Sequence, residues 1–291
     1  MRVHLVDGTY ELFRAQFSRR PARTDPDGRD VKATVGLVAS LLALLHDPDE
    51  AVTHVAVAFD NPIESFRNRR FGGYKDSSGV DEALLAQFDR AEEAAAAVGL
   101  TVWSMAEHEA DDALATAAQR FARQVHQVRV LTPDKDLGQV VRGDEIVQVD
   151  RRRARVYDEA GVRERLGVAP ASVPDLLALV GDRADGIPGL PGFGATTAAR
   201  LLARYGHLED IPRDPASWEP GIRGAARLAV TLAQRWDDVV LYRELATLVA
   251  DVPLSVQLDD LAWPGVPRER FDHWCAAIGA AALRDRPERW A

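Results

Sequence analysis

The sequence predicts an α/β protein in which a mostly parallel sheet flanked by helices is followed by an all-helical part. Three observations lead there. Short β-branched runs alternate with longer Ala- and Leu-rich stretches from residue 1 to about 180, the rhythm of strand–helix–strand units. From about 170 to 250 the chain is helical in pattern and punctuated by glycine, with no convincing strand. Acidic residues close or closely follow several apolar runs, at the strand ends where open α/β sheets place their ligands.

Taken in order, strands are expected at 2–6, 52–59, 101–104, 128–132 and 145–149. Val3-His-Leu-Val-Asp7 and Val55-Ala-Val-Ala-Phe-Asp60 read as buried strands ending on an acid, and Val128-Arg-Val-Leu-Thr-Pro133 leads directly into Asp134. Helical patterns fall between them at about 31–46, 81–98 and 110–124. Residues 18–30, rich in Arg, Pro, Asp and Gly, read as a loop, as do residues 71–80 with Gly72, Gly73 and Gly79. The expected organisation is an α/β domain over 1–170, a helical subdomain over 171–250 and a tail over 251–291 that packs back on the core. Pro253, Pro264 and Pro267 make that tail irregular before a short helix near 269–283.

Composition narrows the class. With 46% hydrophobic and 28% charged residues, the chain reads as a soluble globular protein. No apolar run is long enough to span a membrane, and no basic stretch precedes an apolar signal core at the start. The single cysteine, Cys275, forbids an intrachain disulfide and a thiolate metal cluster; a cytoplasmic location is expected. The net charge of -9 argues against a nucleic-acid partner. That argument weakens because nine acids fall into four tight groups: Asp7 with Asp60, Glu109 with Asp111 and Asp112, Asp134 with Asp136, and Asp182 with Asp185. Basic residues are also grouped, as Arg14 with Arg19 and Arg20, as Arg67, Arg69 and Arg70, and as Arg151-Arg-Arg153-Ala-Arg155.

Singly, these acids have ordinary explanations. Asp111 and Asp112 would favour a helix start through its dipole, and Asp134 and Asp136 would suit a turn. Together they would converge on one crevice, which is untenable without cations. Hard oxygen donors with no paired His or Cys select Mg²⁺ or Mn²⁺ over zinc. Two such ions, about 3.5–4 Å apart, are the arrangement used for in-line displacement at a phosphodiester.

The second signal is Gly186-Ile-Pro188-Gly189-Leu-Pro191-Gly192-Phe-Gly194-Ala-Thr196-Thr197. Its glycines allow a tight turn and close backbone approach. The helix that follows would open with free amides, an anion site indifferent to base sequence.

In these residues the chain resembles the 5′-nuclease superfamily, which includes flap endonucleases and the 5′→3′ exonuclease domain of bacterial DNA polymerase I. The likeness covers roughly residues 1 to 250. It runs through Leu5-Val-Asp7-Gly8, Arg14, Phe59-Asp60, Phe66-Arg67, Tyr74-Lys75, Glu109-Ala-Asp-Asp112, Thr132-Pro-Asp-Lys-Asp136, Gly181-Asp182-Arg-Ala-Asp185 and the glycine hairpin. The resemblance implies a Rossmann-like sheet with a helix–three-turn–helix subdomain. It implies two Mg²⁺ or Mn²⁺ ions, one held chiefly by Asp7, Asp60, Glu109 and Asp111 and one served by Asp136, Asp182 and Asp185, with Asp112 and Asp134 beside them. Lys75 and Arg14 match cations that act on the scissile phosphate. Arg67, Arg69, Arg70, Tyr74, Gly189, Gly192, Gly194, Thr196 and Thr197 become candidate DNA contacts, with K⁺ a candidate ion at the hairpin. Expected partners are DNA with 5′ flaps, nicks or junctions, RNA-containing duplexes included, and a monomer is expected. The alternatives are a silent junction-binding module and a ribonuclease of a related small nuclease fold. Two departures stand out: Ser78 and Thr196 occupy positions where the family carries basic residues.

Overall fold

The computed structural model describes residues 1–291. In chain order the strands are β1 (Arg2–Asp7), β2 (His54–Asp60), β3 (Thr101–Met105), β4 (Gln127–Leu131), β5 (Ile146–Asp150) and β6 (Arg155–Tyr157). The α-helices are α1 (Gly8–Gln16), α2 (Lys32–Leu45), α3 (Phe66–Arg70), α4 (Glu82–Leu85), α5 (Phe88–Ala97) and α6 (Ala110–Phe121). They continue as α7 (Glu159–Leu166), α8 (Val173–Val180), α9 (Ala195–Tyr205), α10 (Ala225–Gln234), α11 (Trp236–Ala246) and α12 (Arg268–Ala277). None is long and apolar enough to cross a membrane.

The chain divides into two compact units. Unit 1 takes Met1–Ser65, Asp76–Thr132 and Ala250–Ala291, and unit 2 takes Phe66–Lys75 and Pro133–Val249. In unit 1, β1 pairs in parallel with β2 on one side and β4 on the other, and β2 pairs in parallel with β3. Successive strand residues such as Leu5 and Val6, or Ala58 and Phe59, which point to opposite faces, are all inaccessible to solvent, as expected for a parallel sheet covered on both faces. The C-terminal tail belongs to this unit: Trp263 donates its backbone N–H to Thr53 and its indole N–H to the carbonyl of Val98.

Two elements differ from the sequence expectation. The helix expected over 81–98 is broken into α4 and α5. Gln87 at the break is fully buried, and its Oε1 accepts from both the N–H and the hydroxyl of Thr34 at 3.1 and 3.2 Å. A long-range polar contact thus overrides helix propensity. Strand β6, too short to signal itself, forms because β5 turns back on it antiparallel, Asp150 facing Arg155.

Unit 1 also buries charge that periodicity did not suggest. His4 on β1 and Arg129 on β4 are register partners. Both meet Glu50: His4 Nε2 lies 3.0 Å from Oε2, and Arg129 Nη2 donates to Oε1 at 2.9 Å. Burial pushes the Glu50 carboxyl up, but the hydrogen bonds from His4 and Arg129 outweigh it and hold its pKa at about 2. A depressed carboxyl contributes stability that is fully present above its ordinary value of 4.5 and is lost as pH falls toward 2. Glu50→Gln is therefore expected to lower the melting temperature at pH 7 and to flatten the loss of stability between pH 5 and 2, on the order of 2–3 kcal/mol. Identical acid profiles for the two proteins would refute this.

Unit 2 has its own apolar core, in which Leu176, Leu179, Leu201, Leu228 and Tyr242 pack with Phe193 and Tyr74. Segment Phe66–Lys75 is built into this unit by Arg67, which is 1% exposed. Its Nε donates to the carbonyl of Leu245 at 2.9 Å and its Nη2 to that of Thr247 at 3.0 Å, and its guanidinium lies 4.7 Å from the Phe66 ring centre.

Candidate metal centre

In unit 1 five acids stand at strand ends and at the start of α6. Asp7 ends β1 and caps α1, with Oδ1 accepting the N–H of Tyr10 and Oδ2 the hydroxyl of Thr132, each at 2.8 Å. Asp60 ends β2, and its Oδ1 accepts the N–H of Ala110, the first residue of α6, at 2.7 Å. Glu109 is the N-cap of that helix and its Oε1 accepts from Ser65 at 2.8 Å. Asp112 completes a capping box with Glu109 and is fully buried. Asp111, in the same turn, is half-buried. Part of this negative charge is thus held by helix-start amides, which stabilise it.

In unit 2, Asp136, Asp182 and Asp185 bring carboxylate oxygens within 4.8 Å of one another. Asp136 opens a 3₁₀ turn just after Asp134, whose Oδ1 accepts its N–H at 3.0 Å. Asp182 follows α8 and exchanges backbone hydrogen bonds with Ile187 at 2.8 and 2.7 Å, which closes the loop carrying Asp185. Lys75 Nζ lies 3.1 Å from Asp185 Oδ1, and Lys135 Nζ sits on Asp182 Oδ2. Burial pushes the Asp136 carboxyl well above the usual range, and the charges of Asp134, Asp185 and Asp182 add to that rise. Its Oδ1 is buried without a hydrogen-bond partner. Hard oxygen donors, crowded negative charge and an orphaned carboxylate oxygen are what a divalent cation satisfies, so these residues fit one.

The loop after Asp185 explains its glycines. A Cβ on Gly186 would lie 2.1 Å from the carbonyl oxygen of Gly73, where Lys75 N–H also donates to Asp185 at 2.9 Å. Gly189 has φ +69° and is pressed onto the Val180–Gly181 backbone, its would-be Cβ 2.4 Å from Gly181 N. Gly192, Gly194 and Thr196 are exposed and Thr197 half-buried at the start of α9, which has no side-chain cap.

Profiles of the 5′-3′ exonuclease match in tandem, the N-terminal resolvase-like domain over residues 2–167 and the C-terminal SAM fold over 168–269. The chain belongs to the 5′-3′ exonuclease family. It is 36% identical over 289 residues to DNA polymerase I of Mycobacterium leprae, covering 97% of this chain and only 31% of that polymerase. A 5′-3′ exonuclease of Aquifex aeolicus is 28% identical over 260 residues, covering 89% of this chain and 86% of the relative. The fold matches zinc-bound T5 5′-exonuclease with a TM-score of 0.66 at 18% identity, over 96% of this chain and all of that one (100%). It also matches the catalytic core of Rad2 in complex with DNA substrate, with a TM-score of 0.59 at 15% identity, over 96% and 87% of the two chains.

Within this family assignment several expected DNA contacts are corrected. Arg67 is an internal strut, since its guanidinium is spent on the carbonyls of Leu245 and Thr247. Tyr74 is 5% exposed and packs in the core of unit 2, so it presents no ring for base stacking. Gly189 is buried by backbone packing, which gives it a role in shaping the turn. Arg70 forms an ion pair with Glu244, while Arg69 is exposed. Arg14 is engaged by Glu11 and by Ser40 at 2.6 Å. Ser78 gives its N–H and hydroxyl to Asp76, and Ser77 donates to Glu64. Sequence reasoning missed Ser65 and Thr132, which hold Glu109 and Asp7, and passed over Lys135, whose position between two acids was the available signal.

Proposed function

We propose that the chain is a metal-dependent, structure-selective 5′ nuclease that hydrolyses DNA phosphodiesters near single-strand/double-strand junctions and leaves 5′-phosphates. The observation that carries this reading is the Asp136–Asp182–Asp185 cluster, with its orphaned oxygen, leading directly into the glycine loop of a 5′-3′ exonuclease chain. Asp136, Asp182 and Asp185 would hold one Mg²⁺ or Mn²⁺, and Asp7, Asp60, Glu109 and Asp111 supply the donors for another. Bound ions of this kind supply Lewis-acid activation of water and charge stabilisation on the leaving oxygen.

The chain's own residues bind and orient. Lys75 is the ammonium available to a phosphate once Asp185 engages a cation, and a point charge there favours the negative transition state. Exposed Gly192, Gly194 and Thr196 and the uncapped start of α9 offer backbone N–H groups to a phosphodiester without reading bases. The same segment is where K⁺ would act. Thr196 and Ser78 leave two phosphates without a cation, so binding should depend less steeply on salt than in a fully basic homologue.

The test is a labelled 5′-flap duplex with Mg²⁺ or Mn²⁺, compared with blunt, nicked and RNA-containing duplexes. Cleavage at the junction with 5′-phosphate ends, lost in chelator and restored by either ion, is expected. Tight binding without cleavage of any substrate would replace this reading with a silent junction-binding module.

A further inference from the structure

Lys135 lies between Asp134 and Asp136, and the chemistry above leaves it without a part. Its ammonium is seated on Asp182 although its side chain keeps 36% exposure. Lys135 is thus an ammonium held on one of the three acids that converge within 4.8 Å. Lys75 holds a second, Asp185, at 3.1 Å. The third, Asp136, keeps an orphaned oxygen. A divalent ion among these acids and the Lys135 ammonium draw on the same negative charge.

We propose that Lys135 is an internal counter-ion of this metal half-site: it neutralises Asp182 in the metal-free protein, and by competing with the incoming cation it sets how tightly that cation binds. The inference rests on the metal reading above. Two physical features support it. At side-chain contact distance a full positive charge repels a divalent ion strongly even in an effective dielectric near that of a protein surface. A lysine is also a point charge on a flexible four-carbon stem, so it can leave for solvent when a cation arrives, without moving the backbone. Lys135 is then a positioning and affinity-setting residue that keeps the half-site both preformed and readily emptied.

The experiment uses the full chain with Mn²⁺ alone, read by titration calorimetry and by thermal melting with and without the ion. Lys135→Met and Lys135→Gln are both made, because the amide keeps a hydrogen-bond donor where the methionine variant fails to fold. Expected are a lower melting temperature without metal, Mn²⁺ binding tighter by on the order of tenfold or more, and a larger Mn²⁺-induced rise in melting temperature than in the wild-type chain. Lys135→Arg keeps the charge and should keep near-wild-type affinity. A purely structural ion pair would lower stability and leave Mn²⁺ affinity unchanged or weaker in both neutral variants, and that result overturns the proposal. Asp185→Asn separates the two levels. If the wild-type chain binds Mn²⁺ no better than Asp185→Asn, the metal reading itself falls and takes the counter-ion with it. If Asp185→Asn loses an ion that the neutral variants fail to tighten, only the counter-ion role is lost.

Discussion

Asp136→Asn is expected to melt at a higher temperature than the wild-type chain in chelator and to lose DNA cleavage by at least about a thousandfold in Mg²⁺. The two effects share one cause. Asp136 is buried, its Oδ1 has no hydrogen-bond partner, and it faces Asp134, Asp182 and Asp185. Its carboxyl is raised by burial and by those charges, so the folded chain favours the proton more than the unfolded chain does. Stability from this group is present at low pH and is lost as pH rises through the raised value. Asparagine removes the ionisation and should return about 1–2 kcal/mol near neutral pH, less at pH 4. For a chain of this size that is a few degrees in melting temperature. The same change deletes a donor from the one cluster in unit 2 suited to a divalent ion, so the metal-induced stabilisation should shrink along with cleavage. Parallel melts with and without Mn²⁺ at two pH values check the sign. A variant that melts lower without metal would show that Asp136 is held by something other than the cation it awaits.

Arg67→Ala carries the largest expected loss of stability, about 3–5 kcal/mol. The guanidinium is 1% exposed, and its removal leaves the carbonyls of Leu245 and Thr247 without the donors they have at 2.9 and 3.0 Å. The cavity and the lost contact with Phe66 add to this. At roughly 2–4 °C per kcal/mol the variant should melt on the order of 10 °C lower. Lysine should recover only a fraction, because an ammonium cannot reproduce the planar fork that meets two carbonyls at once. The damage should spread to Lys75, since the same segment carries it and Asn68 donates to the Lys75 carbonyl at 2.8 Å. Urea unfolding measures the cost, and a change below about 1 kcal/mol would return Arg67 to the DNA-contact role its sequence context suggested.

The strands, the acids at their ends and the glycine loop were legible because each is written locally. A parallel strand is an apolar run, and its ligand-facing end is the residue where that run stops. Asp7 and Asp60 are such residues. The arginines were not legible in the same way. Phe66-Arg67-Asn-Arg69-Arg70 reads as a uniform basic stretch, yet Arg67 is buried, Arg70 is paired with Glu244 and Arg69 faces solvent. Gln87, which breaks a helix to reach Thr34, and His4 and Arg129, which share Glu50, likewise depend on partners far along the chain.

By itself the sequence determined the α/β class, the helical part, the family and the chemistry of a hard-cation site, since hydrophobic period, turn glycines and carboxylate spacing are properties of neighbours in the chain. Tertiary structure alone decided which acids share an oxygen cluster, that Asp136 is left with an orphaned oxygen, that Lys75 and Lys135 each hold an acid, and that Arg67 and Tyr74 turn inward. The physical reason is that burial and charge pairing depend on contacts between residues far apart in sequence, and those contacts exist only once the chain has folded.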